Sequence, residues 1–87
     1  MRIVPGFVIR EIVGENIAIP TGDAARRLSG MLTLNECGRF LFTLLQTEQT
    51  KESLVEALLT EYEVDWETAS DDVDAFIARL EQSGFLE

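Results

Sequence analysis

One cysteine, Cys37, and no histidine set narrow limits on the chemistry this 87-residue chain can perform. A nucleophile is usually activated by a neighbouring imidazole, and that base is missing. A structural zinc site wants four cysteine or histidine ligands, which the chain cannot supply. One thiol cannot close an intrachain disulfide. Carboxylates remain as potential acids or bases, but an acidic surface contains them anyway. No catalytic residue, metal or cofactor is therefore expected, and the residues with something to offer are suited to contact. Arg26 and Arg27 could hold a partner's carboxylate or simply be solvated. Met31 could adapt to a ligand or fill core. Trp66 could anchor an interface or staple a helix junction. Cys37 lies on an apolar stripe and reads as a small buried hydrophobe.

Charge narrows the partners further. The net charge is −9, and it is unevenly spread. Residues 1–47 hold five basic and four acidic side chains, whereas residues 48–87 hold two basic and twelve acidic ones. Nucleic-acid affinity rests on neutralising phosphates, so a half-chain at −10 argues against DNA or RNA. The same repulsion argues against an anionic membrane surface. No apolar run approaches the ~20 residues that span a bilayer. The start of the chain lacks the apolar core of a signal peptide. The cytoplasm is the default compartment. The acidic run Glu61, Glu63, Asp65, Glu67, Asp71, Asp72 and Asp74 could meet a basic partner, though a solvated face explains it more simply.

The elements that must position these residues are readable from pattern. Phe7–Val13 is rich in β-branched residues, Gly14-Glu15-Asn16 is a turn signal, and Ile17-Ala18-Ile19 runs into Pro20. These features predict a hairpin with strands over 7–13 and 16–20. Thr21-Gly22-Asp23 reads as a loop, and 28–34 as a third strand weakened by Gly30. Helical spacing begins after Asn35, an N-cap residue. Cys37, Phe40, Leu41, Leu44 and Leu45 form one stripe, predicting a helix over 35–46. Thr50 caps a second helix over 51–63 with core face Leu54, Val55, Leu58, Leu59 and Tyr62. Asp65 caps a third over 66–83 with core face Ala69, Val73, Phe76, Ile77 and Leu80. Gly84 suits a helix C-terminus, with Phe85-Leu86 folding back as an apolar tail. Gly38, costly inside a helix, points to close packing. Strands grouped before helices predict one α+β domain over 1–87. A three-stranded sheet leaves an exposed edge, which is a hazard or a docking strand.

Three stretches of the chain resemble the PqqD family, named for pyrroloquinoline quinone biosynthesis. They are Gly6–Ile12 with Gly14 and Ile19-Pro20, the Gly30–Gly38 segment containing Leu34-Asn35-Glu36-Cys37-Gly38, and Leu58–Asp65 followed by Asp72–Ile77 and Gly84-Phe85-Leu86. Cys37, Phe42 and Ser29 stand where that family more often has threonine, tryptophan and asparagine. The resemblance implies a winged helix-turn-helix-like fold, with a three-stranded antiparallel sheet and three helices. It implies a peptide chaperone without chemistry of its own. Such a domain binds the leader segment of a ribosomally made precursor peptide, between the third strand and third helix. It presents that leader to a modifying enzyme, often a radical S-adenosylmethionine enzyme.

Strand addition would place the leader along Arg27, Leu28, Ser29, Gly30, Met31, Leu32 and Thr33. Gly30 would admit a close backbone. At ~100° per residue, Asp72, Ala75, Phe76, Arg79 and Ser83 share one flank of the third helix. Phe76 and Met31 would give apolar contact, and Arg79 and Arg27 would meet leader carboxylates. The opposite flank, with Asp74, Ile77 and Glu81, is the alternative. The exposed edge could also pair two copies into a homodimer. Two other functions remain. An acyl or peptidyl carrier is suggested by the small acidic chain and Glu52-Ser53-Leu54. A winged-helix DNA-binding protein shares the fold, since fold does not fix function.

Overall fold

The computed structural model describes residues 1–28 and 30–87. Strand β1 (Phe7–Ile12) pairs antiparallel with β2 (Glu15–Pro20), with Ile9 opposite Ala18. Val13 and Gly14, both at positive φ, form the turn, so Glu15 and Asn16 belong to the strand. Two-residue hairpin turns need this left-handed backbone to match strand twist. A short helix, α1 (Gly22–Arg27), follows where the sequence suggested only a loop at its start. Ala24-Ala25 favours helix, Asp23 sits in the first turn and Arg26-Arg27 in the last, each suiting the helix dipole. Strand β3 is then only Leu32–Leu34, not 28–34. Leu28 caps α1, and Gly30 has φ of +89°, which takes the chain out of extended geometry before the strand begins. The sheet order is β1-β2-β3, and β3 is an edge.

Three longer helices complete the chain: α2 (Glu36–Leu44), α3 (Lys51–Glu61) and α4 (Trp66–Gln82). There are thus four helices among the described residues, one of them between strands, and not three. The longer ones are shorter at their C-termini than the sequence pattern suggested, by one or two residues each. Each begins at the cap expected for it. Asn35 accepts from the Gly38 amide at 2.7 Å, and Asp65 from the Thr68 amide at 2.8 Å. Thr50 and Ser53 exchange hydrogen bonds at 3.0 Å. At the other end of α4, Gly84 donates to Glu81 and Phe85 donates to Leu80, the paired bonds of a glycine-stopped helix.

That stop delivers Phe85 into the core, where its ring lies 4.6 Å from Phe7, itself 5.6 Å from Phe42. Ile3 bridges Leu86, so both chain ends close the same wall. The sheet contributes Ala18, Leu32 and Leu34, backed by Phe7 and Ile9. Leu41, Phe42 and Leu45 come from α2 and its end, Leu54, Val55 and Leu58 from α3, and Ala69, Val73, Phe76 and Leu80 from α4. The result is an α+β fold in which a sheet with one short edge strand lies against helices. No described helix is long and apolar enough to cross a membrane.

Candidate functional site

The outer edge of β3 runs beside α4. Alternate residues of an antiparallel ladder turn their main-chain groups to the partner strand. The Thr33 carbonyl is met from the far side by Arg79 Nη2, which donates to it at 3.2 Å. Thr33 is thus the residue whose N–H and C=O face the open edge, while Leu32 and Leu34 turn their side chains inward. Between the start of α2 and α4 lies a groove of about 210 Å³, lined by Asn35, Cys37, Gly38 and Leu41 on one side and Asp72, Ala75, Phe76 and Arg79 on the other, and Arg79 ties it to the β3 edge.

Gly38 lets the two walls approach. A Cβ there would sit 3.4 Å from the Phe76 ring and 3.5 Å from Leu34, so a larger side chain would fill the groove floor. Asp72 and Arg79 stand two turns apart on α4, about 10 Å along its axis. The groove therefore has one anionic and one cationic end. Neither residue has an ion-pair partner among the described residues. Burial pushes the Cys37 thiol above its ordinary range, and the Asp72 carboxylate pushes the same way. Both effects favour the neutral thiol over the thiolate.

The sequence-derived candidates divide clearly. Asp72, Ala75, Phe76 and Arg79 line one groove, and Arg79 reaches Thr33 of β3. The opposite flank turns elsewhere, since Asp74 pairs with Lys51 of α3 and Ile77 and Glu81 face the chain ends. Met31 is 64% exposed at the entry to β3. Leu28 is half-buried against the core and Leu32 is buried, so they offer backbone only. Phe76 is only 6% exposed and spends its ring mainly on the core. Gly30 is exposed, with open space where a Cβ would be. Arg27 is exposed at the end of α1. Ser29 lies outside the described residues. Asn35, Cys37, Gly38 and Leu41 of the α2 wall escaped the sequence reading as groove residues, although the glycine in mid-helix was the signal. Cys37 is half-buried, less covered than its stripe position suggested.

Ser53, where a carrier protein would need a free hydroxyl, is half-buried and committed. Its Oγ engages Gln49 Oε1 at 2.7 Å and the Thr50 carbonyl at 2.9 Å. A short sheet edge, a helix reaching it through Arg79 and a cleft with one anionic and one cationic end thus lie close together.

The chain belongs to the family described as coenzyme PQQ synthesis protein D (PqqD), whose model matches residues 19–86. Two solved structures share its fold over nearly their whole lengths. One is TbiB1 in complex with the TbiA(beta) leader peptide, with 25% identity and a TM-score of 0.75, covering 100% of this chain and 95% of that one. The other is lasso peptide synthetase B1 complexed with the leader peptide, with 18% identity and a TM-score of 0.70, covering 97% of this chain and 93% of that one. No curated protein matches the chain.

Proposed function

We propose that this protein is a peptide chaperone that binds the leader segment of a ribosomally synthesised precursor by strand addition to β3. It presents that leader to a modifying enzyme, of the radical S-adenosylmethionine type, and performs no chemistry itself. One observation carries the reading. The main-chain groups of Thr33 face outward beside the α4 groove and are met by a side chain, not by another strand. An extended peptide laid there gains ladder hydrogen bonds from Thr33 and side-chain contacts from Met31, Ala75 and the two charged groove ends. Leader peptides are the ligands in both structural neighbours, which supports the same class of ligand here. The same edge is open to a second copy, so a homodimer through β3 would compete with the peptide.

A carrier role finds no free serine at the start of α3, and DNA binding is opposed by the −10 charge of residues 48–87. The test is a nitrogen-15 NMR titration with a synthetic peptide matching the leader segment of a candidate ribosomal precursor. Amide shifts should concentrate on residues 30–35 and 72–79, and the Thr33 amide should gain protection from hydrogen exchange. Saturable binding that leaves those residues unmoved would refute the assignment.

A further inference from the structure

A second surface is left wet at a cost the fold does not explain. Trp66 is the chain's one tryptophan and is 63% exposed at the first position of α4. Asp65 already caps that helix, so the indole is not needed to start it. Trp66 lines a groove of about 330 Å³ with Val55 and Leu59, the latter 37% exposed, between α3 and the first turn of α4. Val64 beside it is also exposed. Large apolar side chains gathered in one groove with a polar rim are the anatomy of an interface hot spot.

The rim specifies the partner's charge. Glu52 and Glu56 line the groove and have no ion-pair partner among the described residues. Glu63 and Glu67 flank Trp66 in sequence and are exposed. Lys51, the one cation lining the groove, is held by Asp74 at 3.0 Å. A second copy would bring the same acids to the contact, and an anionic surface would be repelled. At ~100° per residue, Trp66 points about 130° around α4 from the Asp72–Arg79 flank. The two grooves therefore open in different directions and can be filled together.

We propose that the α3–α4 groove docks a protein partner through an apolar segment flanked by lysine or arginine. This site is separate from the β3 edge and does not depend on what binds there. A presenting protein needs such a second face.

Trp66 fluorescence reads the site directly. The probes are two short tryptophan-free amphipathic peptides with the same Leu/Phe stripe, one with a lysine polar face and one with a glutamate face. The lysine peptide should shift Trp66 emission to the blue and the glutamate peptide should not. Reversing two rim charges in the Glu52→Lys, Glu56→Lys double variant should weaken the lysine peptide about tenfold and admit the glutamate peptide. Trp66→Ala, checked for folding by circular dichroism, should abolish binding in calorimetry. Equal binding of both peptides would reduce the patch to nonspecific stickiness. Trp66 emission unmoved by the lysine peptide, or self-association through Trp66 without peptide, would equally overturn the proposal.

Discussion

Replacing Arg79 with alanine separates the groove's contribution to folding from its contribution to recognition. The Arg79–Thr33 hydrogen bond is 3.2 Å long and solvent-exposed. A hydrogen bond from a charged group contributes about 1.5–3 kcal/mol where water is excluded, but exposed charged pairs contribute below about 1 kcal/mol. In a domain of this size, 1 kcal/mol moves Tm by about 4–8 °C. The loss in Arg79→Ala should therefore stay below about 8 °C, with the fold intact by circular dichroism. Binding should respond more selectively. A leader peptide with a carboxylate facing Arg79 should lose affinity about five- to tenfold, the equivalent of about 1–1.4 kcal/mol. The same peptide with that carboxylate changed to its amide should lose less than about twofold, because only the charge interaction has gone. Arg79→Lys should recover part of the difference. Calorimetry on the four protein–peptide combinations measures the coupling. Equal weakening of both peptides would mean Arg79 shapes the groove and does not read charge. A fall in Tm well beyond the bound would mean that its bond to β3 is structural.

Two further outcomes follow from the titrating groups. Cys37 should react with a disulfide reagent more slowly than a free cysteine near neutral pH, because burial and the Asp72 carboxylate raise its thiol above the ordinary cysteine range and only the thiolate attacks. The rate should climb as pH passes through that raised value, Asp72→Asn should speed it, and bound peptide should slow it; a rate like that of free cysteine would contradict the groove geometry. Asp65 is held below 3.8 by its hydrogen bonds to Thr68, so its ionised form favours the folded state. Its contribution is complete above the unfolded value and lost as pH falls through the lower folded one. Asparagine caps without titrating, so the melting advantage of the natural protein over Asp65→Asn should shrink only below about pH 4. A difference unchanged by acid would dissociate Asp65 from the cap.

What the sequence revealed and concealed has particular physical causes. Caps were legible because Asn35, Thr50 and Asp65 satisfy amides three residues away, a purely local bond. The returning tail was legible for the same reason, through Gly84. The phase of α2 was not. The buried face is Gly38, Leu41, Phe42 and Leu45, whereas the apolar pattern favours Cys37, Phe40, Leu41, Leu44 and Leu45. Glycine adds nothing to a hydrophobic pattern, so the stripe was read to one side of its true centre. That error concealed Asn35, Cys37, Gly38 and Leu41 as a groove wall. Helix α1 was hidden by its length, since six residues hold too little periodicity to register. The α4 flank was legible because four turns fix its phase, although which flank meets β3 depends on contacts distant in sequence.

The sheet has two edges, and main-chain chemistry alone would not choose between them. The outer edge of β1 is six residues long and that of β3 is three. Few ladder bonds fit on three residues, each worth about 1 kcal/mol net. Association itself costs at least about 4 kcal/mol. Backbone pairing on β3 would therefore not hold the proposed leader by itself, and the groove side chains would have to supply the rest. The longer β1 edge offers more backbone, but it carries charged Arg10 and Glu11 before its last residue, Ile12, whereas Arg79 of α4 reaches β3. A short edge with its outward carbonyl already engaged by Arg79 is a poor template for indiscriminate pairing. On the proposed mode a leader would also have to match the groove between α2 and α4, with its Asp72 and Arg79 ends. On that mode selectivity would reside in the groove side chains, and the strand would supply direction and register.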